Sequence, residues 1–471
     1  MSRTIRADYG QLLLLPPNVD DWVPADHPAR FVRDFVDALE LSELGFHVPE
    51  ALDGRPAYAA DLLLKVWIYG YYSKIRSSRA LERACYDSIA MVWLTGNHAP
   101  DHNTLWRFWR DNRLALRELF KKSVQVAVKS DLVSLLLQAV DGTKIAAQSS
   151  TAKAWRRDVL EKKLERLDAA IEEILAQTER NEAEETGACR LPEALADTRK
   201  RREAIVAALK ELREADRKMM HPKEPEARVA PCAEGQRLGY NAQAVTEARN
   251  HLVVAAEVIR EVNDQEQLNP MIAASERNTG QQAVLTVADA GYFTGHQIQQ
   301  AERAGREVLV NAPADYAGDG SRFHRANFTY DAESDEFLCP LGRRLAYFGT
   351  RKPERKQETA TRLYRCRCGA ACPSRAQCTR QAKGRTINKD GYYEVVLRQV
   401  LKQQEPLNRD LLRQRKQIAE LPFAWLKHMM GFRRWTVRGR ENVCAQWNLL
   451  CTALNLKVFY GVWKKGLLNM T

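Results

Sequence analysis

The sequence predicts an α/β protein: a mixed β-sheet core interrupted by two insertions and preceded by a helical domain. Three observations predict it. Residues 1–130 carry apolar residues at helical spacing. From Leu135 the pattern turns to short strands: Leu135–Val140, Gly239–Thr246, His251–Ile259, Val284–Ala288 and Glu307–Asn311, with helices Asn263–Glu276 and Gly295–Ala304 between the later ones. Two stretches of different composition break that order. A three-stranded antiparallel meander continued by parallel strands with helical crossovers is the ribonuclease H topology, so the core is expected to be ribonuclease H-like.

Each element has a local reason. Phe31, Val32, Phe35, Val36 and Leu39 give Pro28–Leu41 an apolar helical stripe, and Asp61–Lys74 is dense in Leu, Trp and Tyr. Ser77 and Ser78 can cap a helix to Leu94; Pro100-Asp101-His102-Asn103 opens a long helix from Thr104 to Lys129. Short helices followed by Thr104-Leu-Trp-Arg-Phe-Trp-Arg110 suggest a helix-turn-helix-like module, with Arg107 and Arg110 exposed near its start. From Leu160, apolar residues at 160, 164, 167, 171 and 174 make a heptad seam, answered by Ile205, Leu209 and Leu212 across a turn near Pro192; this reads as an antiparallel helical hairpin. Residues 313–404 are rich in Gly, basic residues and Cys and read as a small β-rich insertion. Helix returns from Gln404 to Met430, and a final apolar helix covers Val443–Val458. The expected division is 1–130 (helical DNA-binding or dimerisation domain), 131–153, 228–312 and 405–471 (core), 154–227 (helical insertion) and 313–404 (basic, Cys-containing insertion).

Composition narrows the class. The chain has 471 residues, 45% hydrophobic and 28% charged, which suits a globular protein of several domains and excludes wholesale disorder. No apolar run approaches the roughly 18 residues of a membrane span, and the first residues lack a secretory signal, so a cytoplasmic, reducing setting is expected. The net charge is +12, concentrated in two places: residues 351–390 hold 12 Lys/Arg against 3 Asp/Glu, and residues 413–440 hold 8 against 1. Such patches point to a polyanion, with nucleic acid the leading partner.

The chemistry rests on acids. Asp141 ends the first core strand and Asp289 a later one. Adjacent parallel strand ends lie side by side, so the two carboxylates can share divalent ions, and paired ions suit phosphodiester chemistry. Taken singly, Asp141-Gly142 also reads as a turn and Asp289 as a cap. Glu420 is the candidate third carboxylate. On a regular helix, Arg413, Lys416, Glu420 and Lys427 share one stripe, an acid to hold an ion among cations to hold phosphates. Pro422 is expected to kink that helix.

These residues carry a resemblance. Asp141-Gly-Thr-Lys144, Asp289-Ala-Gly-Tyr292, and Glu420 with Lys427 seven positions later resemble the DDE transposases of bacterial insertion sequences; the last group is similar to their Tyr-x2-Arg-x3-Glu-x6-Lys signature. Tyr69-Gly-Tyr71, Ser77-Ser-Arg79, Glu82, Pro100-Asp-His-Asn-Thr104, Gly239-Tyr-Asn-Ala-Gln243 and Arg433-Arg434 with Arg438-Gly439 fit the same family, most closely its eleven-eighty-two-type branch. Arg413 stands at the signature Tyr position and Lys416 at the signature Arg, so positive charge is kept but a planar guanidinium at 416 is lost. The resemblance implies a metal-dependent nuclease and strand transferase using Mg²⁺ or Mn²⁺ at Asp141, Asp289 and Glu420. It would cut double-stranded DNA at terminal inverted repeats and join the 3′-hydroxyls to target DNA. It also implies a homodimer or larger assembly on DNA, associated with the bacterial nucleoid. Lys427, Arg413, Lys416, Arg433, Arg434, Arg438, Arg107 and Arg110 would contact DNA. The rival readings are a silent sequence-specific DNA-binding regulator and a ribonuclease H-like nuclease without strand transfer.

The cysteines give a second expectation. Cys339, Cys368, Cys372 and Cys378, with Cys366 in reserve, are expected to hold a structural Zn²⁺ that compensates a segment too small and polar for its own core. Free thiols are the alternative.

Overall fold

A computed structural model describes residues 18–47, 57–182, 193–313, 316, 321–353, 359–367, 372–381 and 383–466. The chain divides into two compact units, residues 1–132 with 448–471, and residues 133–447.

The first unit is helical: α1 (Pro28–Asp37), α2 (Ala60–Tyr72), α3 (Ser78–Asp87), α4 (Ile89–Leu94), α5 (His102–Asp111) and α6 (Arg113–Lys129). Caps fix their starts. Ser77 accepts from Ala80 N, and Asp101 accepts from Asn103 N and Thr104 N. Two expected helices are each broken in two. Ser88, in an extended conformation, separates α3 from α4. Asn112 separates α5 from α6 because its buried side chain serves another segment: Oδ1 accepts from His47 N at 2.6 Å and Nδ2 donates to His47 O at 2.9 Å. Trp67, Tyr71 and Trp109 form the aromatic centre, with the two indoles 4.7 Å apart. The end of the last helix packs here too; Tyr460 OH donates to Asp26 O at 2.7 Å.

The second unit holds a six-stranded mixed sheet: β1 (Gln138–Ala146), β2 (Arg228–Cys232), β3 (Gly235–Glu247), β4 (Val253–Ile259), β5 (Thr286–Ala288) and β6 (Val308–Val310). β3 lies antiparallel to β1 on one edge and to β2 and β4 on the other. β1 continues parallel into β5, and β5 parallel into β6. The two faces of β1 are used differently. Gln138 bonds Thr286 Oγ1 and Ser275 Oγ, the latter on helix α9 (Leu268–Thr279). Ala139, with Val287 and Leu309, packs against Ile418 and Ala419 of a helix at Pro406–Ala424. Side chains alternate along a strand, so Asp141 projects on the same face as Ala139.

The helical hairpin is present as α7 (Arg157–Glu182) and α8 (Glu193–Glu214). Leu160, Leu164 and Leu167 pack against Ile205, Leu209 and Leu212, as the heptad spacing predicts. Pairs Arg202–Asp168 (2.5 Å) and Arg213–Glu161 (3.0 Å) show the antiparallel course. Helix α10 (Gly295–Arg303) follows Asp289. The basic insertion corrects an expectation. It is a five-stranded antiparallel meander, β7 (Thr329–Asp331), β8 (Glu336–Leu338), β9 (Arg344–Arg351), β10 (Thr361–Cys366) and β11 (Thr386–Lys389), and it has its own core of Phe328, Phe337, Leu345, Tyr364 and Ile387. Each strand contributes one or two inward side chains, too few to stand out in composition. Helices α11 (Tyr393–Lys402), α12 (Pro406–Ala424) and α13 (Arg440–Lys464) end the chain.

Candidate active site

The parallel register sets the site. Val140 pairs with Ala288, so Asp141 lies beside Asp289; Asp289 follows the end of β5, but Asp141, expected to end its strand, sits within β1, which continues to Ala146 along β3. Asp141 Oδ1 accepts from Gly142 N at 2.7 Å, and Asp289 Oδ1 accepts from Gly291 N at 2.9 Å. Burial pushes the Asp141 carboxyl up to about 6; the Gly142 N–H opposes this, the Asp289 charge adds to it, Arg415 opposes it and Asp264 adds to it. A desolvated carboxylate with a second one beside it fits a hard divalent cation, whose charge relieves both the burial and the repulsion at Asp141.

Cations approach from α12 and the turn that follows it. Arg415 Nη1 lies 3.9 Å from Asp141 Oδ2, and this buried atom has no hydrogen-bond partner. Lys427 is half-buried; burial draws its ammonium below the usual lysine range, and the charge of Asp141 opposes that. The expected single stripe is therefore broken. Arg413, Lys416 and Glu420 are exposed, while Lys427 turns inward. The reason is backbone geometry. Helix α12 runs through Pro422 and passes into a wider turn over Trp425–Met429, where Met430 N donates to Trp425 O at 3.0 Å, five residues back. The extra residue in that turn rotates Lys427 off the face of Glu420.

Glu420 is not brought to the pair. Among the described residues, no three His, Cys, Asp or Glu side chains form a group that could hold a metal ion. The carboxylate that does come close is Asp264, which the sequence marks only as a helix cap. Helix α9 begins at Leu268 instead, leaving Asp264 in a preceding turn. Its side chain accepts from Lys144 Nζ at 2.6 Å, Asn241 Nδ2 at 2.7 Å and Gln243 Nε2 at 2.6 Å. Gln243 Oε1 accepts from Tyr292 OH. The one available sequence signal was polar Asn241 and Gln243 within an otherwise apolar strand.

The other basic candidates divide by unit. Arg433, Arg434 and Arg438 are exposed on a segment pinned by buried Phe432 and Trp435, whose N–H donates to Ala146 O at 2.9 Å. Arg434 lies 3.6 Å from Glu234. Arg413 pairs with Asp410 at 3.1 Å. In the helical unit, Arg107 and Arg110 are exposed on α5, and Arg110 pairs with Asp111 at 2.7 Å.

In the basic insertion, Cys339, Cys372 and Cys378 are free thiols lining one small cavity, and Leu341 N and Arg343 N each donate to Cys339 Sγ at 3.4 Å. Cys366, the reserve ligand, is disulfide-bonded, which removes it as a thiolate. Cys368 lies outside the described residues. The zinc expectation is thus unsupported.

No described helix is long and apolar enough to cross a membrane. Residues 17–111 match the family described as a transposase domain (DUF772), and residues 338–460 match a transposase DDE domain. The second match spans Glu420 and Lys427. No curated protein matches the chain. Both transposase domains lie in order along the chain, which supports an insertion-sequence DDE transposase.

Proposed function

We propose that the protein cuts double-stranded DNA at the terminal inverted repeats of its element and joins the freed 3′-hydroxyls to target DNA. In this reading the core is ribonuclease H-like, and Asp141, Asp289 and Glu420 are the catalytic acids. The observation that carries it is the juxtaposition of Asp141, within β1, and Asp289, just past the end of the parallel strand β5, faced by Arg415 and Lys427. Mg²⁺ or Mn²⁺ held by the acids supplies activation of the attacking oxygen and stabilisation of the leaving one. Lys427 and Arg415 hold phosphate oxygens against the strand ends. Asp141 and Asp289 each have one oxygen fixed by a backbone N–H, which leaves the other to hold an ion. Glu420, one residue past buried Ala419, supplies the third carboxylate by closing toward the pair when DNA is bound. Exposed Arg433, Arg434 and Arg438 extend the DNA track, Arg107 and Arg110 serve the repeats, and two copies act together on paired ends.

The test uses oligonucleotide duplexes carrying the element's ends. Wild type should nick them with Mg²⁺ or Mn²⁺ and join a 3′-end to a second duplex, while Asp141→Asn, Asp289→Asn and Glu420→Gln bind the ends but do not cut. Cutting by Asp141→Asn, or end binding without cutting by wild type, overturns the reading; cutting without joining leaves a simple nuclease.

A further inference from the structure

The non-acidic residues of the two Asp motifs share one neighbour. Asp264, 16% exposed at its side chain, takes Lys144 on Oδ2 and both Asn241 and Gln243 on Oδ1. Lys144 stands three residues past Asp141 on β1. Gln243 is fully buried and takes the phenol of Tyr292, three residues past Asp289. Gly142 makes room for this group, and Gly291 for the acid beside it. A Cβ on Gly142 would overlap Gln243 Nε2 and sit 3.0 Å from Asp264 Oδ1; one on Gly291 would lie 3.0 Å from Asp289 Oδ1 and 3.7 Å from Asp264 Oδ2. Gly142 and Lys144 beside the first acid, and Tyr292 beside the second, therefore all meet Asp264 or Gln243.

We propose that Asp264 is a positioning residue that fixes the separation and aim of Asp141 and Asp289, an inference resting on the reading of that pair as the metal-holding site. Its oxygens already accept three hydrogen bonds from Lys144, Asn241 and Gln243, so it acts on the pair through these neighbours. It ties β1, through Lys144, to the turn after β5, through Gln243 and Tyr292. A partner of this kind, hydrogen-bonded behind the ligands, commonly controls metal affinity about 10- to 100-fold.

The test is Mn²⁺ binding to the full chain, read from the free-ion electron paramagnetic resonance signal. Asp264→Asn should weaken binding about 10-fold or more, with affinity for end DNA unchanged. Tyr292→Phe, which cuts the other end of the tie, should weaken it in the same direction, and decides the matter if Asp264→Asn fails to fold. The double variant Asp264→Asn with Lys144→Met should stay weak; recovery of wild-type affinity would mean that Asp264 only neutralises Lys144 and would overturn the proposal. Wild-type affinity in Asp264→Asn or Tyr292→Phe, while Asp141→Asn loses binding, overturns the proposal alone. Wild-type affinity in Asp141→Asn overturns the underlying reading as well.

Discussion

Asp141→Asn should make the metal-free protein more stable at neutral pH. Asp141 titrates near 3.8 when unperturbed and near 6 in the fold. Its side chain is only 16% exposed, so solvent screens the effect little. The sign follows from proton binding. Between those values the folded state keeps the proton that the unfolded chain has lost, so wild-type stability falls as pH rises from about 4 to about 6 and stays lowered above that. A gap of about 2 units corresponds to about 3 kcal/mol. Asparagine still accepts from Gly142 N and carries no charge, so the variant should be more stable than wild type by up to about 3 kcal/mol at pH 7.5 and equal to it near pH 4. For units of this size each kcal/mol moves a melting temperature roughly 2–4 °C. Calorimetry at the two pH values, in chelator, reads the difference. Adding millimolar Mn²⁺ should then raise the wild-type transition and leave Asp141→Asn in place, because a ion bound only by the native state stabilises it by mass action. A variant that melts below wild type at pH 7.5, or a stability difference that does not change with pH, would refute the claim that Asp141 is held charged against its surroundings.

Further outcomes are expected. Gly142→Ala drives a methyl into Gln243 Nε2 and should displace the Asp264 network; strand cleavage should fall by an order of magnitude or more, roughly the cost of disturbing support behind a metal ligand, while gel-shift affinity for end DNA holds. Arg415→Gln removes the cation beside Asp141, which should move the acidic limb of the pH–cleavage profile to higher pH; an unmoved limb would mean Arg415 does not sense that carboxylate. Asn112→Ala strips the link to His47 and should destabilise the helical unit by about 1–3 kcal/mol, read as a lower first transition in calorimetry.

What was legible in the sequence was what neighbours along the chain determine. Short apolar strand patterns announced β1, β3 and β4, and the heptad spacing from Leu160 announced α7 and α8. Asp141 and Asp289 stood out because each follows an apolar run, although β1 in fact continues past Asp141 to Ala146. What was hidden depends on distant partners. Asn112 breaks a helix for the sake of His47, 65 positions away, and nothing local to 104–129 records that need. Asp264 follows an Asn and precedes a helix, so it reads as a cap; its real partners lie on β1 and β3. The inward turn of Lys427 was hidden for another reason. Helical periodicity assumes a constant twist, and the twist changes just past Pro422.

That change of twist has a functional logic. Seven residues on a regular helix span two turns less roughly 20°, which would keep Lys427 beside Glu420 on the solvent side. A five-residue hydrogen-bond step gives up the better geometry of the regular helix and is uncommon outside functional sites. Here it begins three residues after Pro422, which lacks an N–H to donate in the regular ladder, and ends before Met430, which is buried. The consequence is that the acid and the lysine of the signature no longer share a face: the lysine is delivered toward Asp141 while Glu420 stays in solvent. If Glu420 is the third acid, as proposed, its approach to the pair would therefore be independent of Lys427, because the two no longer share a stripe. On that reading the local irregularity separates a lysine already beside Asp141 from a carboxylate still in solvent.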